Sequence, residues 1–201
     1  MTTTTPTNTS ILASLRALTP RCQVDFDDTK QLAERQAVLL RQRFGGIITE
    51  EAIAGLPRVR IVREPLPTSG LSYWTGHEWL IVLAADDSPA RQRYTLLHEF
   101  KHVIDHGAAR RLYRTQWETE RAADYFAACA LMPKPALKRI FCNVTQDVEA
   151  LARYFGVSRQ AIRVRLEQTG LVERETFTRE RCARPIPTPW HEEQRFVPVK
   201  I

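Results

Sequence analysis

The pentapeptide HEFKH, His98 to His102, constrains this chain more than any other stretch, because two imidazoles four residues apart act together only on a helix. Residues i and i+4 of an α-helix are offset by about 40° and rise about 6 Å, so both rings project side by side and can share one small cation. The flanking residues predict that helix. Ser88-Pro89 supplies a cap and a first-turn proline, the polar-apolar pattern runs helically onward, and Gly107 stops it. Glu99 lies about 100° further round, close enough to reach a water at the cation without itself being a ligand.

A catalytic site of this kind needs a third protein ligand, and zinc suits two imidazoles and a carboxylate better than manganese does. Two carboxylates compete at the start of the next helix, expected from Thr115 to Met132. In "TQWE", Thr115 to Glu118, the threonine caps the first turn and the glutamate reaches back, which occupies Glu118. Glu120 instead opens a helical face with Ala123, Asp124 and Ala127. The alanines let this helix approach HEFKH closely, Glu120 reaches the cation, and Asp124 accepts the second ring N–H of a liganding histidine. Glu118 remains the alternative ligand. His106 extends the four-residue series, and reads either as a group at the site's edge or as a histidine favoured at a helix C-terminus. Lys101 is expected to point to solvent, and Asp105 is given no role.

Around these helices the chain alternates types. An amphipathic helix is expected from Thr29 to Phe44, with Leu32, Val38, Leu39 and Phe44 as its apolar residues and Gly45-Gly46 as its stop. Three β-rich pieces follow, "RVRIVRE" (58–64), "LSYWTG" (71–76) and "EWLIVLA" (78–84), the latter two joined as a hairpin through Gly76-His77. The fold class is therefore α+β. Residues 147–171 read as helix, tight turn at Gly156, helix. The chain has 201 residues, 43% of them apolar, enough for a domain and a small module. A net charge of +6 permits an acidic partner, but the arginines are spread along the chain. Four widely spaced cysteines without a C-x-x-C, no secretory signal and no membrane-length apolar run make the cytoplasm the expected compartment.

"RQRYTLLHEFKHVIDH" followed by "ETERAADYFAACALMPK" resembles the ImmA/IrrE family of zinc metallopeptidases, which pair H-E-x-x-H with an E-x-x-A-[ND]-x-F-A-A…L-M-P segment. The second motif here comprises Glu120, Ala123, Asp124, Phe126, Ala127, Ala128, Leu131, Met132 and Pro133. The resemblance implies a zincin-like unit with a gluzincin arrangement: Zn2+ held by His98, His102 and Glu120, Glu99 as general base, and Asp124 orienting a histidine. One departure is Phe100-Lys101, where many relatives carry a small or apolar residue followed by Gly, Ser or Ala. The expected organisation is a disordered 1–10, a metallopeptidase domain over 11–140, a helix-turn-helix-like unit over 141–172 and an extended, proline-bearing arm over 173–201.

Only about thirty residues follow Leu171, too few for the sensor domain of the radiation-response relatives. The smaller relatives of mobile elements and toxin-antitoxin pairs are the nearer analogy. They imply a protein substrate, a helix-turn-helix repressor or antitoxin. Independently, the strands next to the HEFKH helix can take a substrate backbone as an added strand, with "EWLIVLA" as the expected edge. Tyr113, Tyr154 and His191 are alternatives for stabilising the oxyanion. In the 147–171 unit, Arg159, Arg163 and Arg165 lie on the second helix where they can meet phosphates, a DNA-binding pattern that is also a compact way to pack two helices. The rival reading is accordingly a DNA- or repressor-binding regulator, or a toxin, whose metal site is structural or non-proteolytic.

Overall fold

The computed structural model describes residues 10–172, so the expected disordered start and C-terminal arm, with His191, lie outside the described residues. Helix α1 (Ile11–Ala17) leads into α2 (Phe26–Arg43) and the short α3 (Glu50–Ala54). Then come β1 (Val59–Glu64), β2 (Gly70–Trp74) and β3 (Trp79–Ala84), and after them α4 (Pro89–Asp105), α5 (Ala109–Leu112), α6 (Gln116–Leu131), α7 (Lys134–Asn143), α8 (Val148–Phe155) and α9 (Arg159–Thr169). The mixed sheet packed on helices bears out the α+β, zincin-like expectation.

Local chemistry sets the element boundaries. Asp25 accepts the Asp28 N–H at 2.8 Å and starts α2 three residues earlier than expected. Ser88 and Thr115 cap α4 and α6 as predicted, and Gly156, in the left-handed region at φ 64°, ends α8. On α2 the buried stripe is Leu32, Ala33, Gln36, Ala37 and Leu40, whereas Val38 is 47% exposed, because the inward face follows the smaller alanines rather than the β-branched residue.

The sheet order is β1-β3-β2, with β3 parallel to β1 and antiparallel to β2. "EWLIVLA" is therefore the central strand and not an edge. Its continuous apolar run is buried along its whole length, as befits a strand paired on both sides. The free edge beside α4 belongs to β2. One face of the sheet lies on α4, and α4 in turn packs on α6, whose Ala123 and Ala127 are both fully buried.

A single apolar cluster joins these layers. Phe100 and Phe126 are among its largest fully buried members, and Leu151, Phe155, Ile162 and Leu166 of the α8–α9 pair belong to the same cluster. Burying a side chain of that size stabilises the fold by about 1.5–3 kcal/mol.

Candidate metal centre

Helices α4 and α6 run side by side so that Tyr94 on one donates its hydroxyl to the Asp124 carbonyl of the other, at 2.8 Å. That contact and the alanine face bring His98, His102, Glu120 and Asp124 together. His98 Nε2 lies 3.1 Å from His102 Nε2 and 3.1 Å from Glu120 Oε2, and His102 Nε2 lies 3.6 Å from that same oxygen. Donors held about 2.0–2.1 Å from a tetrahedral ion lie about 3.3 Å from one another, so this triangle has the size and the donor chemistry of a zinc site.

The supporting contacts orient each donor. Asp124 Oδ1 lies 3.0 Å from His98 Nδ1, which fixes the proton on that nitrogen and turns Nε2 toward the triangle. Gln116, one turn before Glu120, donates to Glu120 Oε1 at 2.6 Å and leaves Oε2 facing the histidines. Glu118 is used elsewhere: its carboxylate accepts the Arg114 N–H at 2.6 Å while Thr115 accepts the Glu118 N–H, a capping box shifted by one residue at its return bond.

Glu99 is 8% exposed, and its donor atom lies with those of the two histidines within 4.8 Å of one another. It differs from Glu120 in being claimed from the other side. Ser72 on β2 donates to Glu99 Oε2 at 2.8 Å, so the carboxylate is pinned between α4 and the sheet's free edge. Gly70 makes that approach possible, since a Cβ there would stand 2.5 Å from the Thr95 methyl and 3.0 Å from the Val82 carbonyl. Neither Ser72 nor Gln116 was expected from the sequence. The period-two facing of β2 could have raised Ser72, and the four-residue spacing to Glu120 could have raised Gln116.

The electrostatics follow from crowding donors and carboxylates. Burial pulls the His98 pKa down, but the Asp124 and Glu120 hydrogen bonds, with the Asp124 and Glu99 charges, outweigh it and raise the group to about 9. Burial pushes Glu120 up, yet the His102 and His98 contacts win and hold it well below the carboxylate range. In metal-stripped protein the His98 imidazolium therefore stabilises the fold fully below about pH 6.5 and loses that contribution as pH rises through about 9. Thermal unfolding in chelator should show stability falling across this interval; a flat profile would remove the charged histidine from the account.

Several expected positions are placed elsewhere. Lys101 is not in solvent but 1% exposed, donating to both Asp105 oxygens at 2.7 and 2.6 Å, while Tyr113 donates to Asp105 Oδ2 at 2.7 Å. The helical turn puts Lys101 and Asp105 on the inner face with Leu97 and Ile104, so their charges must pair. Tyr113 is thereby committed to Asp105, and Tyr154, 59% exposed, stacks edge-on against Phe155 rather than lining the cleft. His106 follows the last residue of α4 and packs edge-on to Trp79, ring centroids 4.6 Å apart. Arg159 and Arg163 are exposed, the former paired with Glu149 at 2.6 Å. Arg165 is corrected: it is 1% exposed and donates to the Met132 carbonyl, because it shares the inner face of α9 with Ile162 and Leu166.

Among the described residues no helix is long and apolar enough to cross a membrane. No curated protein matches the chain. A solved Mycobacterium tuberculosis transcriptional regulator is similar at 17% identity and a TM-score of 0.44, over 79% of this chain and 52% of that one, so the chain spans about half of that protein's length. The sequence model of the IrrE N-terminal-like domain, Peptidase_M78, matches residues 57–167, which include the sheet, both site helices and most of α9. That span is more than half of the chain and holds every residue of the donor triangle, and the chain therefore belongs to the IrrE N-terminal-like, Peptidase_M78 family.

Proposed function

We propose that the protein is a zinc-dependent endopeptidase that cleaves one specific protein partner. The observation that carries this reading is the triangle of His98 Nε2, His102 Nε2 and Glu120 Oε2 beside a separately held Glu99 carboxylate. Zinc bound there would polarise the scissile carbonyl and acidify the attacking water. Glu99 takes the proton of that water and returns one to the leaving amine, held in position by the Ser72 hydroxyl. Asp124 keeps His98 in the tautomer that presents Nε2, and Gln116 does the corresponding task for Glu120.

The substrate backbone adds as a strand to the free edge of β2, whose residues Gly70 to Ser72 line the same cleft as His98, Glu99, His102 and Glu120. A helix-turn-helix repressor or antitoxin is the proposed partner class, by analogy with the family. DNA contact is the second reading, and the exposed Arg159 and Arg163 favour it; salt-sensitive duplex binding lost on replacing both would support it.

Metal content per chain, measured by elemental mass spectrometry, tests the site. Wild-type protein should hold one zinc, and Glu120→Ala should lower its affinity about 100-fold or more, the upper end of what losing even a supporting contact costs. Glu118→Ala should keep the metal and lose only about 1 kcal/mol of stability through its cap. Zinc retained in Glu120→Ala at the wild-type level would remove Glu120 from the ligand set.

A further inference from the structure

Away from the cleft, α2, the Gly45-Gly46 turn, α7 and α9 line a second, open-mouthed cavity of about 390 Å3, which shares no lining residue with the first. Its walls are apolar, from Ala37, Val38, Pro133 and Pro135. Its charges do not balance. Arg41, Lys134 and Arg165 line it against the single acid Glu34, and among the described residues none of these four makes an ion pair.

Arg165 makes the imbalance informative. A guanidinium that is 1% exposed is ordinarily matched by a carboxylate, since taking an unpaired charge out of water costs several kcal/mol. Here its contacts are neutral: the Met132 carbonyl at 3.1 Å, the Gln168 amide oxygen at 3.5 Å and the Tyr125 ring at 5.3 Å. The adjacent Cys129 supplies no counter-charge, because burial holds its thiol up at about 11 despite Arg165. At the rim, burial and then the neighbouring Arg93 charge pull Arg41 below its ordinary value. The first turn of the ten-residue α7, which opens on the same cavity at Pro133 to Pro135, has no capping side chain. Cations, an uncapped helix start and apolar walls around a volume of ligand size describe a receptor for an oxyanion on an apolar body.

We propose that this cavity binds a small organic anion, an apolar body bearing a carboxylate or phosphate, with Arg165 at its floor and Arg41 and Lys134 at its rim. Val38, exposed on α2, forms one wall. Occupancy would tie α2, α7 and α9 to the C-terminal end of α6, the helix that also carries Glu120 and Asp124.

The test is a titration of the full chain followed by two-dimensional NMR of backbone amides, with sodium benzoate and sodium phenyl phosphate as probes and benzamide as the neutral analogue. Either anion should give saturable shifts at Gly46 and Ala136, with a dissociation constant on the order of 1 mM for so small a probe. Benzamide should bind about tenfold or more weakly. The tighter anion identifies the headgroup. Val38→Trp, which fills the cavity and removes no charge, should abolish the shifts, and Glu120→Ala should retain them, separating this cavity from an anion caught by zinc. No saturable shift with either anion, equal binding of benzamide, or shifts that survive Val38→Trp would overturn the proposal.

Discussion

Asp105→Ala should destabilise the protein by about 3–5 kcal/mol, a large part of the roughly 5–15 kcal/mol that holds an ordinary domain together. The aspartate faces inward at 2% exposure and serves two donors at once, the Lys101 ammonium and the Tyr113 hydroxyl. Removing it leaves a buried ammonium whose pKa burial already lowers and which Asp105 alone supports with charge. The loss falls on the helix that presents His98 and His102, near the end where Arg16 donates to the Val103 and Ile104 carbonyls at 2.8 and 3.2 Å. The converse half of the prediction separates charge from packing. Replacing both partners, Lys101→Met with Asp105→Leu, should recover most of the loss, because an apolar pair of similar volume needs no counter-charge. Urea unfolding midpoints of the wild type and the two variants decide it. A single variant within about 1 kcal/mol of wild type would mean that Lys101 reaches water when its partner is gone.

This pair also marks where sequence reading reached its limit. The helix period of HEFKH and the alanine face after Glu120 were legible because each is a local pattern with a strong geometric consequence, and both site helices follow it. Lys101 and Arg165 were misread for one shared reason: each was assigned by its charge and not by its position. Yet Lys101 stands four residues from Leu97, and Arg165 stands between Ile162 and Leu166, so both lie on inner faces. The i, i+4 pair of Lys101 and Asp105 was visible and pointed to a buried partnership. Strand order was a different matter. Propensity located all three strands, but nothing local says that β3 is central and parallel to β1; the one hint was its unbroken apolar run. Ser72 and Gln116 escaped because a serine in a strand and a glutamine in a first turn have no chemistry until a neighbour arrives from another element.

Glu99→Gln should leave the metal in place and lower cleavage of the protein partner at least about 100-fold, within the range that a positioned proton acceptor contributes. The substitution keeps the size of the side chain and keeps an oxygen for the Ser72 hydroxyl, so the contact that pins residue 99 to β2 at 2.8 Å survives. What it removes is the acceptor for the attacking water's proton and the donor for the departing amine. The donor triangle contains no atom of Glu99, and zinc content should therefore match wild type. Ser72→Ala makes the companion variant: it keeps the carboxylate but frees it to turn, and should lower kcat by less, with KM little changed, because a positioning contact acts on the chemical step. The measurement is the rate of appearance of new N-termini in the partner by mass spectrometry, with metal content determined on the same samples. A Glu99→Gln protein that holds zinc and cuts at the wild-type rate would assign the proton transfer to another group. One that loses zinc as well would place Glu99 among the ligands, and Glu120 would then have to yield its place.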